Sequence, residues 1–205
     1  DQAVIAKRQG RFLHPLQKFQ GLDNMSFATR IADEVNTWHP AAVFIDAGRG
    51  EGVISRLEQL GFGSIVFPVH FGGRSFSDLY ANKRAEIWCR MRDWFLQTDN
   101  QPLIPTDEDI VRDLSAPMFE INERGFIQLE SKKMMRKRGY PSTDAGDAIA
   151  LTFAEDIYED PQELLLQEME HFHGIKIRKD TADQDYDPLN YLNNDNDWAA
   201  QYSHQ

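Results

Sequence analysis

The chain has 205 residues, of which 41% are hydrophobic, and its formal net charge at pH 7 is −11. This hydrophobic content is enough for a packed core and excludes a globally disordered chain. Two further classes are excluded. No run approaches the roughly 18 apolar residues that a membrane-spanning helix needs, and the single cysteine, Cys89, cannot form an intramolecular disulfide.

The negative charge is concentrated near the C-terminus. Residues 155–170 contain seven acids and no lysine or arginine, and residues 180–205 contain six acids and again neither base. The remaining chain before residue 155 is therefore close to neutral. We expect a folded domain over residues 1–178 and an acidic, flexible tail over residues 179–205. Scattered aromatic and aliphatic residues in the tail favour a segment that orders on a partner.

Local patterns predict strands that alternate with helices behind an initial hairpin. The predicted order is a hairpin over residues 3–19, a helix capped by Asn24 or Ser26, a strand over 41–46, a helix over 53–60, a strand over 64–71, a helix over 79–96, a hairpin over 118–130, a basic turn over 131–139 and a helix over 142–158. This alternation indicates an α/β fold with a mixed sheet.

The motif FIDAGRGEG, residues 44–52, ends an apolar strand on Asp46 and then places three glycines in five residues. An ordinary strand-to-helix turn explains the pattern, and two functional interpretations compete with it. The glycines are similar to the first motif of S-adenosylmethionine-dependent methyltransferases, but the next strand lacks the terminal acid that would hold a ribose. Alternatively, Asp46 is a metal ligand. We expect His70, after that next strand, to be a partly buried histidine rather than a phosphate contact.

Two further carboxylates stand three residues apart at the start of the last predicted helix. Asp144 and Asp147 share a helix face at this spacing, although acids in a first turn are also what the helix dipole favours. The apolar residues after Asp147 anchor this helix in the core. Together with Asp46, the pair suggests an oxygen-rich site for a hard divalent cation.

Three segments together resemble the C-terminal nuclease domain of the large terminase subunits of tailed bacteriophages. They are FIDAGRGEG, the stretch that includes VHFGGRS and YANKRAEIWCRMRDW, and STDAGDAIALTFA. The resemblance covers residues 1–155. It implies an RNase H-like fold, a mixed sheet flanked by helices, and a divalent-metal-dependent endonuclease that cuts concatemeric double-stranded DNA during genome packaging.

By position, the resemblance makes Asp46, Asp144 and Asp147 the catalytic and metal-binding residues of a two-metal Mg²⁺ or Mn²⁺ site. It leaves open whether Asp144 or Asp147 is the main ligand. The family's first catalytic acid lies on the opening strand, so we expect it upstream of residue 1, and no ATPase motor motif is present in this sequence. We therefore expect low nuclease activity that Mn²⁺ supports better than Mg²⁺.

The segment SKKMMRKRG supplies five cations within seven residues, immediately before the acidic helix. Either it is a solvated basic turn, or it binds DNA phosphates without sequence preference. The DNA-binding candidates are Lys132, Lys133, Arg136, Lys137 and Arg138. The resemblance implies further partners in the full-length protein, namely the portal protein or procapsid and the small terminase subunit. It also implies the cytoplasm of the infected bacterial host as the location.

Other functions stay open at this point. An RNase H-like resolvase or integrase would share the acids but recognise junctions or specific ends. A methyltransferase-like domain would bind S-adenosylmethionine through the glycine motif. A docking module with a vestigial site is the third alternative. Cys89 is expected to be a core thiol rather than a nucleophile.

Overall fold

The structure, a computed structural model, describes residues 2–157. These residues lie within one compact unit, Asp1–Tyr158. The predicted domain boundary at residue 178 and the predicted tail lie outside the described residues. Among the helices that the structure describes, none is long and apolar enough to cross a membrane.

The N-terminal hairpin forms as predicted, in two hydrogen-bonded pieces. Its outer pair is antiparallel, β1 (Gln2–Ile5) with β4 (Gln17–Gln20), and its inner pair is β2 (Arg8–Gln9) with β3 (Phe12–Leu13). Gly10 closes the turn with φ of 55°, a left-handed conformation that glycine adopts without strain. Leu13, which is almost fully buried, anchors the hairpin to the core.

The next four elements form a unit of alternating helices and strands. They are α1 (Asn24–Trp38), β5 (Val43–Asp46), α2 (Ala47–Gln59) and β6 (Val66–Val69), and β5 pairs with β6 in parallel. Helix α1 is capped by Asp23 rather than by Asn24 or Ser26 as predicted, because the Asp23 carboxylate accepts a hydrogen bond from the backbone N–H of Ser26 at 2.7 Å. Helices α1 and α2 pack on each other and share an apolar cluster with β5 and β6. The carboxyl end of β5 therefore has a rigid support.

The second half of the described chain surrounds a larger core. Its elements are α3 (Lys83–Leu96), α4 (Glu108–Ser115), β7 (Phe119–Ile121), β8 (Ile127–Leu129), α5 (Lys132–Lys137) and α6 (Asp144–Leu151). Helix α6 packs against α3, α4, β1 and β5. The apolar cluster around Trp88, Met91 and Ile149 fills the space between them. Cys89 lies fully buried on α3, where burial raises the pKa of its thiol, as expected of a core residue.

Three sequence-based expectations were wrong in detail. Helix α2 begins at Ala47, directly after Asp46, rather than at residue 53, so the glycine motif lies inside the helix. The basic segment 131–139 contains a short helix, which Ser131 caps and the buried Met135 anchors. Helix α6 ends at Leu151 rather than near residue 158. Helix α4 has no counterpart in the sequence-based prediction at all.

The predicted class is α/β with a mixed sheet, and within residues 2–157 both parallel and antiparallel pairings occur. The paired strands form four separate two-stranded ladders there. Two isolated bridges, Phe12 with Leu103 and Tyr80 with Ile127, tie loops to these ladders.

Candidate active site

Asp46 stands at the carboxyl end of β5 and at the same time caps α2. Its Oδ1 accepts a hydrogen bond from the backbone N–H of Gly48 at 3.0 Å, whereas its Oδ2 has no hydrogen-bond partner within residues 2–157. The half-buried carboxylate lines a cavity of about 550 Å³. The other residues that line this cavity are Gly48, Arg49, His70, Phe71, Gly72 and Gly73. One carboxylate oxygen of Asp46 is thus available to a ligand.

The glycines of the motif are explained by close packing. A Cβ on Gly50 would lie 2.5 Å from Cγ2 of Ile45, the residue before Asp46 on β5, a distance that real side chains do not tolerate. A Cβ on Gly48 would lie 3.2 Å from Oδ1 of Asp46. Glycine at these positions therefore lets α2 start directly over the strand and leaves the carboxylate in its capping position. No bound nucleotide is needed to account for the motif.

His70 differs from its expected environment, because it is exposed rather than partly buried and lines the cavity beside Asp46. Its backbone carbonyl accepts a hydrogen bond from the N–H of Gly73 at 2.9 Å. This tight turn holds residues 70–73 as one wall of the cavity. An exposed imidazole at this wall can contact an anionic ligand.

Arg84, at the start of α3, connects this wall to the start of α6. Its backbone N–H donates to the carbonyl of Phe71 at 3.0 Å. Its buried guanidinium donates to Asp147 Oδ1 at 3.1 Å, to Thr143 Oγ1 at 3.2 Å and to the carbonyl of Glu130 at 3.2 Å. Sequence patterns had not indicated this residue as part of the site.

Asp147 is buried, and both of its oxygens are occupied. Oδ1 accepts from Arg84 and from Trp88 Nε1, the latter at 2.9 Å. Oδ2 accepts from Thr143 Oγ1 at 3.2 Å and pairs with Lys132 Nζ at 2.8 Å. A carboxylate has about four acceptor positions, and four donors surround this one. Asp147 therefore neutralises two cations and fixes the start of α6.

Asp144 is half-buried in the first turn of α6. Its Oδ1 accepts a hydrogen bond from Ser142 Oγ at 2.5 Å, and its Oδ2 has no partner among the residues that the structure describes. Asp144 and Asp46 thus share one property that Asp147 lacks, an oxygen that remains available.

A buried carboxylate that sequence patterns did not indicate caps the same helix. Asp113 on α4 accepts hydrogen bonds through Oδ2 from the backbone N–H groups of Ala145 and Gly146, at 3.0 and 3.2 Å. Its Oδ1 receives Arg112 Nε at 3.0 Å. Burial raises the pKa of Asp113, although these donors act in the opposite direction. Thr143, at the N-cap position of α6, makes no side-chain cap, so α6 takes its cap from another helix.

The structure brings the three sequence-predicted acids onto two neighbouring elements rather than into one cluster. Helix α6 packs against β5, and Arg84 joins the cavity wall to the start of α6. However, within residues 2–157 no group of three histidine, cysteine, aspartate or glutamate side chains is placed to hold a metal ion.

The basic residues of the predicted DNA-binding segment divide into two groups. Lys132 pairs with Asp147, and Arg138 pairs with Glu130 at 2.5 Å and donates to the carbonyl of Ala116. The other three, Lys133, Arg136 and Lys137, are exposed and form no ion pair with the described residues. The first group fastens the segment to the body, and the second leaves cations in solvent.

Solved structures share this fold. The chain is similar to the nuclease domain of the large terminase subunit gp2 of bacterial virus Sf6, with 16% identity and a TM-score of 0.61 over 77% of this chain and 88% of that one. A mutant of that domain, solved with manganese, has 16% sequence identity and a TM-score of 0.61 over 76% of this chain and 88% of that one. The large terminase nuclease from thermophilic phage G20c, solved with bound cobalt, has 14% sequence identity and a TM-score of 0.51 over 75% of this chain and 80% of that one. No protein-family profile matches the chain, and no curated protein sequence matches it.

These similarities define the architecture. The chain has the RNase H-like α/β fold of phage large terminase nuclease domains, as the sequence motifs predicted. At 14–16% sequence identity, these comparisons establish a similarity of fold alone.

Proposed function

We propose that this chain is the divalent-metal-dependent DNA endonuclease domain of a phage large terminase. The observation that carries the proposal is the cavity at the carboxyl end of β5, which is lined by Asp46, whose Oδ2 accepts no hydrogen bond from residues 2–157, in a chain with the fold of terminase nuclease domains. Ligand sites in open α/β sheets commonly lie beyond the carboxyl ends of strands.

Asp46 at this cavity and Asp144 at the start of the neighbouring helix α6 have the chemistry that suits a magnesium-like ion with few protein ligands. Such an ion is commonly held by one or two carboxylates and completes its coordination with waters and substrate phosphates. Asp46 and Asp144 each retain an available oxygen of the hard type that this ion prefers. The similar Sf6 and G20c domains have been solved with manganese, calcium and cobalt. We assign Asp46 and Asp144 as ligands and Asp147 as the residue that positions Asp144 through α6.

The chain's own residues have distinct tasks in phosphodiester hydrolysis. Divalent ions, when bound, lower the pKa of an attacking water and stabilise the departing oxygen. Asp46 and Asp144 supply the negative charge that such ions neutralise. The ion pairs that Asp147 makes with Arg84 and Lys132 hold α6, the helix that carries Asp144, in place. His70 stands on the cavity wall where a phosphate oxygen would enter. The substrate proposed is concatemeric double-stranded DNA, cut during packaging in the host cytoplasm, with the portal protein or procapsid and the small terminase subunit as partners of the full-length protein.

The test is nicking of supercoiled plasmid with millimolar Mn²⁺ or Mg²⁺ and with EDTA. We expect nicking that requires the metal and is stronger with Mn²⁺. Asp46→Asn should reduce it by more than about 100-fold, beyond the effect typical of an outer-shell residue. Asp23→Asn is the matched control because Asp23 also caps a helix, and asparagine preserves a cap. Equal activity in the two variants would show that Asp46 serves only as a cap.

The same assay separates the two acids of α6. Asp144→Asn should lower nicking and leave the melting temperature almost unchanged. Asp147→Asn should lower the melting temperature, because Arg84 and Lys132 lose a charged partner. If Asp144→Asn keeps full activity while folded Asp147→Asn has none, the assignment of ligands is reversed.

The exposed basic residues of α5 should carry non-specific DNA binding. Replacing Lys133, Arg136 and Lys137 together by glutamine should weaken duplex binding and reduce its salt dependence. The slope of the logarithm of the binding constant against the logarithm of the salt concentration should become less negative by about 0.9 for each phosphate that is no longer neutralised. Filter binding or anisotropy at several salt concentrations measures this. The control replaces the exposed Arg30 and Arg92, on α1 and α3, by glutamine. An unchanged slope in the α5 variant would mean that DNA runs over another face.

A further inference from the structure

The loop between β6 and α3 holds a phenyl ring in solvent. The ring belongs to Phe76, which is 78% exposed. Single exposed apolar residues are common on protein surfaces and by themselves indicate nothing. Phe76 differs from such residues because its backbone N–H is hydrogen-bonded to a buried carboxylate.

That carboxylate is Glu86 on α3, which is only 4% exposed. Its Oε2 accepts hydrogen bonds from Ser75 Oγ at 2.9 Å and from the backbone N–H of Phe76 at 3.0 Å. Its Oε1 receives Lys83 Nζ at 3.3 Å. Burying a carboxylate is costly unless it is paired and hydrogen-bonded. Here these bonds hold the loop in one conformation with its aromatic side chain projecting outwards.

Two basic residues lie close to Phe76, one in space and one in sequence. Lys83 Nζ lies 4.0 Å from the centroid of the Phe76 ring, in a cation–π contact. Arg74, two residues earlier, is exposed. Lys83 is buried and paired with Glu86, so the exposed positive charge close to the ring in sequence is that of Arg74. An exposed aromatic ring preceded along the chain by an exposed cation matches the surface of a nucleic acid, which combines flat bases with a polyanionic backbone.

The loop is also joined to both parts of the proposed site. Gly73, three residues before Phe76, lines the Asp46 cavity, and its carbonyl accepts the N–H of Lys83 at 2.9 Å. At its other end the loop pairs with β8. Ala81 N donates to the carbonyl of Ile127 at 2.9 Å, and Ile127 N donates to that of Leu79 at 2.8 Å. Strand β8 leads directly into the basic helix α5.

We propose that Phe76 is a DNA-contacting residue that inserts its ring at a base step of the duplex beside the cleavage site, with Arg74 on the adjacent phosphate. Apolar side chains used in this way partly unstack a base step and kink the duplex. The loop that carries the ring also carries Gly73, which lines the Asp46 cavity, so a ring held in the duplex would influence where the DNA lies relative to Asp46. This inference rests on the proposed function, since it takes double-stranded DNA as the ligand.

The experiment measures duplex binding and base unstacking without cleavage. The protein is titrated, in EDTA, into a duplex that carries 2-aminopurine, whose fluorescence rises when it is unstacked. Phe76→Ala should raise the Kd by about 5- to 150-fold, the range for removing one aromatic side chain from a stacked base, and should remove the fluorescence rise. Phe76→Tyr should retain both. The control is Leu96→Ala, a similarly exposed apolar residue at the opposite end of α3.

The outcomes distinguish this inference from the proposed function. If wild-type protein nicks plasmid with Mn²⁺ but Phe76→Ala binds duplex and raises fluorescence as wild type does, the inference is overturned and the nuclease assignment stands. If no variant nicks plasmid but Phe76→Ala alone loses duplex binding, the DNA contact stands and the nuclease assignment fails. Because Phe76 also covers Lys83, melting temperatures are recorded. A loss of binding in Phe76→Tyr equal to that in Phe76→Ala would overturn the inference too.

Discussion

Replacing Arg84 by methionine should lower the free energy of unfolding by about 3 kcal/mol, the lower end of the cost of breaking a buried ion pair from one side. The methionine fills most of the space of the arginine stem but leaves Asp147 without one of its two cations. Asp147 is buried, and its remaining donors are Trp88, Thr143 and Lys132. Lys132 limits the loss, since it still neutralises the carboxylate. Urea denaturation at pH 7 measures the change.

Two controls make the interpretation specific. Arg92→Met removes an arginine from the same helix, but its ion pair with Asp93 is exposed, so the expected cost is below about 1 kcal/mol. Adding Asp147→Asn to Arg84→Met should cost less than the two single changes summed, because the uncompensated charge is gone. Additive effects would show that the pair does not couple and that Arg84 stabilises the fold only through its other hydrogen bonds.

Gly146→Ala should destabilise the protein by about 1–3 kcal/mol, as overpacking a core typically does. In an exposed helix the same change stabilises by up to about 1 kcal/mol, so the predicted sign is opposite to helix propensity. A Cβ on Gly146 would lie 2.7 Å from Cη2 of Trp88 and 3.2 Å from Cβ of Asp113. Trp88 cannot withdraw freely because its Nε1 donates to Asp147. Since the clash bears on the start of α6, nicking activity should fall as well.

Gly72→Ala is the matched control for this substitution. Gly72 has no heavy atom within 4 Å of its ideal Cβ position and needs no left-handed conformation. It also lines the Asp46 cavity, so it tests an added methyl group near the proposed site without the steric conflict. Thermal melts of both variants measure the difference. Equal melting temperatures would mean that α6 can shift away from α3 at little cost.

Patterns that act over short distances were readable from the sequence. The hairpin with its turn at Gly10, the strand that ends on Asp46 and the anchored start of α6 follow from alternation, from glycine and from apolar spacing. The α/β class and the RNase H-like fold were predicted correctly from these patterns and from the motifs that resemble terminase nucleases. The assignment of metal ligands and DNA-binding residues stays a prediction.

What the sequence did not reveal depends on contacts between distant segments. Arg84 and Asp147 are 63 residues apart, and Asp113 is 32 residues from the N–H of Ala145. From the sequence, Arg84 is an ordinary residue of an amphipathic helix, with its stem packed in the core. The glycine motif is ambiguous for a related reason, since only the packing of Gly50 against Ile45 shows that the helix begins at once. Helix α4 is short and is preceded by a polar stretch without clear periodicity.

The N-terminus of α6 is capped by Asp113 of α4, so the stability of α6 is coupled to the docking of α4. A helix of eight residues is too short to persist alone in water, and the N-terminal N–H groups of α6 are satisfied by a side chain of α4 rather than by its own N-cap residue. Docking of α4 therefore stabilises the start of α6, in addition to the contacts that Asp147 makes with Arg84 and Lys132. The order of the helix that carries Asp144 therefore depends on tertiary contacts with α4 rather than on its local sequence alone.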